Sequence, residues 1–175
     1  MKKILVVIDM QNDFISGSLG TAEAEAIVPA AAERIASFDG DRIIVTFDTH
    51  FDNYLDTHEG KNLPVPHCIE GTEGYELDGR IAAALEGKEY LKLSKSTFGN
   101  FSVGEEIAAA FPDETPEIEL IGLCTDICVA SNALILRTAF PEAEITVYRD
   151  CCAGVTPESH AAALATMQSC QINIR

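Results

Sequence analysis

Short apolar runs rich in β-branched residues alternate along this chain with stretches whose apolar positions recur at helical spacing. The runs predict strands at Lys3–Ile8, Arg42–Phe47, Glu89–Leu93, Ile118–Leu123 and Glu144–Tyr148, with a last strand in the terminal QINI. The helical spacing predicts helices near Ile27–Phe38, Leu77–Leu85, Val103–Phe111, Ile127–Phe140 and Pro157–Ser169. Strands that alternate with helices imply βα units, a parallel sheet and helices on both of its faces. The expectation is a three-layer α/β/α sandwich on a six-stranded parallel sheet. The stretch Asp48–Glu76 interrupts the rhythm. It is too long for a plain connector, and such loops usually carry function.

In sheets of this kind ligands bind at the carboxyl ends of the strands. The residues that end the strands are Asp9, Asp48 with His50, Lys95, Cys128 and Asp150. The segment LIGLCTDICV, Leu120–Val129, passes from an apolar strand through a turn into a helix. Thr125 or Asp126 can cap that helix, which sets Cys128 in its first turn. Free N–H groups and partial positive charge at a helix start favour a thiolate and can hold an oxyanion. Asp9 is placed to accept the thiol proton. Lys95 would stabilise the thiolate and keep Asp9 ionised. Taken singly, Cys128 could simply pack the junction, Asp9 cap a turn and Lys95 be solvated. Three strand ends together make a candidate nucleophile, base and cation.

Asp48 and His50 lie two apart on an extended segment and point the same way. With His67 and one of His58 or Glu59 they would make a set suited to zinc, iron or manganese. The alternative is that Asp48 and His50 only form a turn.

Composition narrows the partners. With 175 residues, 47% hydrophobic and 23% charged, the chain is expected to be one domain, residues 1–175. A net charge of −16 argues against nucleic acid and anionic membrane surfaces. MKKILVVIDM has too short an apolar run for a signal peptide, and no stretch approaches a membrane span. A cytoplasmic protein is expected. Its six cysteines would then be mostly reduced, and none shows paired zinc-ligand spacing. Cys124 and Cys128 could still form a redox pair, which is the reading as a non-hydrolytic thiol- or metal-binding protein.

The ordered set VVIDMQNDF (Val6–Phe14), VTFDTH (Val45–His50), EGKNLPVPHCIEGTEG (Glu59–Gly74), LSKSTFGNF (Leu93–Phe101) and GLCTDICV (Gly122–Val129) spans nearly the whole chain. It resembles the cysteine hydrolases of the isochorismatase-like superfamily, and nicotinamidases in particular. The resemblance implies an isochorismatase-like (Rossmann-like) sandwich and a catalytic triad of Asp9, Lys95 and Cys128. It also implies a non-proline cis peptide at Leu123–Cys124, which places the Cys124 N–H beside that of Cys128 as an oxyanion hole. A divalent metal, zinc first with iron or manganese as alternatives, would sit on Asp48, His50, His67 and either Glu59 or His58. Glu59 is favoured because it opens the EGK segment. The implied activity is hydrolysis of a small carboxamide to acid and ammonia through a thioester, with nicotinamide leading. The implied assembly is a homo-oligomer.

The chain departs from nicotinamidases at the substrate pocket. Phe14 matches a ring that covers the pyridine, but Leu63–Val65 lacks the second aromatic, and Phe98 or Phe101 could replace it. An acidic substrate, N-carbamoyl, ureido or maleamate-like, would need a basic pocket residue such as Arg137 or Arg149.

Overall fold

The computed structural model describes residues 1–175. Its strands are β1 (Lys2–Ile8), β2 (Arg42–Asp48), β3 (Tyr90–Lys95), β4 (Pro116–Leu123), β5 (Glu144–Ala153) and β6 (Asn173–Ile174). All pair in parallel, in the order β3-β2-β1-β4-β5-β6. Its α-helices are α1 (Asn12–Ile15), α2 (Ala22–Ser37), α3 (His58–Asn62), α4 (Gly79–Leu85), α5 (Phe101–Ala110), α6 (Ala130–Ala139) and α7 (Pro157–Ser169).

The side-chain alternation of β1 explains the three layers. Leu5 and Val7 face a core built with Val28, Ala31 and Ile35 of α2 and Ile81 and Leu85 of α4. Ile4, Val6 and Ile8 face the other core, with Val103 and Ile107 of α5, Ala133 and Leu136 of α6, and Leu164 and Met167 of α7. Every residue of β1 from Ile4 to Ile8 is fully buried. A strand covered on both faces reads as a continuous apolar run, and ILVVI is one. No helix is long and apolar enough to cross a membrane.

From β1 the chain winds outward through β2 to β3, then returns to β4 and winds the other way. The carboxyl ends of β1 and β4 therefore flank the switch point, where a crevice opens in such sheets. Asp9 leaves β1 there and Cys124 leaves β4.

Several boundaries differ from the sequence reading. Helix α2 begins at Ala22, where Thr21 accepts from the Ala24 N–H at 3.0 Å. The AEAE turn has no apolar stripe to signal this. Asn100 caps α5 at Phe101, two residues earlier than expected. The stretch Asp48–Glu76 holds α3, capped by Thr57. The largest difference is β5. The step from Val147 to Cys152 on β5 matches only the step from Leu120 to Gly122 on β4. The surplus residues bulge outward, and the Asp150 side chain is 90% exposed. Asp150 is thus removed from the strand-end cluster.

Gly122 lies close against the backbone of β1. Its φ is +126°, and a Cβ there would overlap the Ile8 carbonyl oxygen across the β1–β4 pairing. Only glycine suits both conditions. Gly122→Ala is expected to destabilise the fold by about 3 kcal/mol or more. A urea-denaturation midpoint equal to that of the parent would contradict this.

Candidate active site

Asp9 follows β1 in a left-handed conformation, φ +48°, and is fully buried. Thr46 holds it. The Thr46 hydroxyl donates to Asp9 Oδ1 at 2.6 Å, and the Asp9 N–H donates to the Thr46 carbonyl at 3.2 Å. Lys95 ends β3 with its side chain 1% exposed. Its ammonium lies 2.6 Å from Asp9 Oδ2, 3.3 Å from Asp48 Oδ1 and 3.4 Å from Cys128 Sγ. The sequence-derived trio is one contact group.

Two of the three pKa directions, those of Asp9 and Cys128, run against the simple expectation. Burial would lower the Lys95 pKa, but Asp9, Cys128 and Asp48 outweigh it and hold the ammonium charged. Burial pushes the Asp9 carboxyl above its ordinary value, against the pull of Lys95. Burial, reinforced by Asp9, pushes the Cys128 thiol well up. Lys95 therefore does not outweigh burial at Cys128 Sγ, and the group favours the thiol over the thiolate.

Cys128 sits in a wide turn, Thr125–Val129, between β4 and α6. The N–H groups of Ile127 and Val129 both donate to the Cys124 carbonyl at 3.1 Å. The Leu123–Cys124 peptide is cis, and the Cys124 N–H donates to no acceptor in the protein. Thr125 and Asp126 do not cap the helix. The Thr125 hydroxyl pairs with His160 Nδ1 at 2.8 Å, and Asp126 Oδ1 accepts from the Val155 N–H at 3.1 Å, so the first ties the turn to α7 and the second ties it to the β5–α7 loop. Asn132, fully buried on α6, donates to the carbonyls of Cys128 at 2.8 Å and Phe98 at 3.3 Å. It joins the thiol turn to the loop after Lys95. The sequence reading missed Thr46, Asn132 and His160. A lone polar residue within the apolar RIIVTF run marks Thr46, and an Asn on a buried helical stripe marks Asn132.

Beside the trio, Asp48, His50, Glu59 and His67 offer ligand atoms that all lie within 4.8 Å of one another. Asp48 Oδ2 is 3.0 Å from His50 Nε2 and 3.4 Å from His67 Nε2. Glu59 Oε1 is 3.8 Å and 3.5 Å from the same nitrogens. Donors around a tetrahedral zinc at about 2.0–2.2 Å stand about 3.3–3.6 Å apart, so the set fits such an ion. His67 Nδ1 lies 2.8 Å from the Val65 carbonyl, its only possible role there being donor, which leaves Nε2 free to bind. Glu59 is in the group, while His58 is exposed and outside it.

Cys128 of the trio and all four of Asp48, His50, Glu59 and His67 line one cavity of about 890 Å³. Phe14 and Phe98 line it, whereas Phe101 is 73% exposed and does not. Leu63, Leu19, Tyr54 and Ile127 add apolar wall. No Lys or Arg is among the lining residues. Arg137 is spent on carbonyls of Pro141, Ala143 and Gln171, and Arg149 is exposed beside Asp150.

The geometry can be set beside known proteins. An isochorismatase family protein of Bacillus subtilis is 32% identical over 94% of this chain and 93% of its own. The crystal structure of nicotinamidase/pyrazinamidase from Bacillus subtilis superposes with a TM-score of 0.86 at 30% identity, covering 99% of each chain. Pyrazinamidase of Pyrococcus horikoshii in complex with zinc superposes with a TM-score of 0.82 at 27% identity, covering 100% of this chain and 99% of that one. The family model described as the isochorismatase domain matches residues 3–174, and the chain belongs to that family.

Proposed function

We propose that this protein is a cysteine amidohydrolase that converts nicotinamide to nicotinate and ammonia. The observation that carries the chemistry is the buried Asp9–Lys95–Cys128 contact group, which meets the cavity through Cys128. The similarity to nicotinamidase/pyrazinamidase supports the reaction type. The cavity wall, apolar with Phe14 and Phe98 and without a cationic side chain, favours a flat neutral amide over an acidic one. Neither Arg137 nor Arg149 lines the cavity to pair with a substrate carboxylate.

Asp9 accepts the Cys128 proton as Sγ bonds to the amide carbonyl carbon. Charge on the carbonyl oxygen is taken up by the N–H groups of Cys124 and Cys128. Asp9 returns the proton to the amide nitrogen, the C–N bond breaks and ammonia leaves the thioester. Water then attacks the thioester while Asp9 takes its proton, and the thiolate is reprotonated as nicotinate is released. Lys95 stays protonated throughout and holds Asp9, Asp48 and Sγ around one charge. Asp48, His50, Glu59 and His67 would hold zinc, which supplies a Lewis-acidic centre for a substrate donor atom when bound.

Purified protein is expected to release ammonia from nicotinamide, and Cys128→Ala to lower kcat about 1,000-fold or more. Turnover retained in that variant would sink the mechanism. Equal or faster hydrolysis of N-carbamoyl or maleamate-type amides would move the substrate to the acidic class. Because Asp9 must be ionised and burial raises its pKa, kcat/KM should rise with pH through a value above the ordinary 3.8. A pH profile flat down to that value would remove Asp9 from the role of base. Metal analysis should find one zinc-group ion per chain, displaced by dialysis against a chelator. A chain that binds no added zinc would contradict the assignment of Asp48, His50, Glu59 and His67.

A further inference from the structure

The motif DMQND holds more than the base. Gln11 is fully buried, accepts the Asp48 N–H at 2.8 Å and donates to the Asp48 and Tyr75 carbonyls at 2.9 Å. Asp13 reaches 55 residues down the chain, where its Oδ2 accepts the Cys68 N–H at 2.7 Å. Cys68 directly follows His67 and is fully buried. Its φ of +46° is one that a side chain rarely adopts. Its carbonyl in turn accepts the His50 N–H at 3.0 Å. One residue, Cys68, is thus gripped on both sides, by Asp13 on its N–H and by the His50 backbone on its C=O. Gly74 makes room for the grip, since a Cβ there would overlap both oxygens of the Asp13 carboxylate.

We propose that Asp13 is a positioning residue for the metal-binding group: by clamping Cys68 it presets His67 against His50 and Asp48 before an ion arrives. This inference rests on the reading of Asp48, His50, Glu59 and His67 as metal ligands. Asp13 touches no ligand atom and takes no part in the proton transfers. Its contribution is conformational. Without the carboxylate, the left-handed Cys68 loses the bond that holds it, and His67 must be ordered at the expense of binding energy.

The test is zinc affinity of the metal-free full-length chain, read by competition with a chromophoric chelator. The parent is expected to bind zinc, and Asp13→Ala to bind about 10- to 100-fold more weakly. Asp13→Asn should rescue much of this, because its amide oxygen can still accept the Cys68 N–H. Gly74→Ala should weaken zinc binding in the same direction, by displacing the carboxylate. Unchanged zinc affinity in folded Asp13→Ala overturns the proposal, even if its melting temperature falls, because a merely structural residue would act that way. Should Asp13→Ala fail to fold, the comparison of Asp13→Asn with Gly74→Ala decides, and parental affinity in Gly74→Ala is the overturning result. A parent chain that binds no zinc removes the ligand reading itself, an outcome distinct from a parent that binds and variants that bind as well.

Discussion

The arrangement of this cavity floor follows from one buried ammonium. Desolvating a Lys side chain costs several kcal/mol unless anionic partners replace the lost water. Lys95 is 1% exposed and has Asp9 and Asp48 as those partners. The need to surround one charge fixes the ends of β1, β2 and β3 relative to one another. Cys128, brought from β4, completes the shell. Removing either carboxylate would leave a buried charge undercompensated.

Asp48 stands at the junction of two sites. One of its oxygens faces Lys95 and the other faces His50 and His67. Burial pushes its carboxyl up, and the neighbouring His50, His67 and Lys95 outweigh that and hold it below the usual carboxylate range. The Asp9–Lys95–Cys128 group and the Asp48–His50–Glu59–His67 group are therefore parts of one electrostatic cluster. A change of charge at either is felt at the other through a single side chain.

Much of this was legible in the sequence because it follows from periodicity. Apolar runs locate the strands, and parallel strands bring their carboxyl ends together, so Asp9, Lys95 and Cys128 converge before any coordinate is known. What failed depends on local departures from regularity. Asp150 looks like a strand-end residue until the bulge in β5 swings it to solvent. Thr125 and Asp126 have the chemistry of caps, but His160 of α7 and the Val155 N–H of the loop before it compete for them. The thiol looked acidic on its neighbours alone, and burial reversed the sign. Phe101 lies near Phe98 in sequence, yet it starts α5 facing away from the cavity. The choice of Glu59 over His58 follows from where α3 begins, since adjacent helical residues point about 100° apart.

The wide turn ahead of α6 has a consequence for helix phase. A π-type turn accommodates one residue more than an α-helical turn would. Deleting that surplus would rotate what precedes it by about 100° relative to α6. Ala133 and Leu136 would keep their seats in the core, while Sγ would swing away from Lys95. The packing of α6 and the aim of the Cys128 thiol ahead of it are thus indexed separately. The helix can be held in register by the core while the length of the turn alone dials the thiol to its bearing.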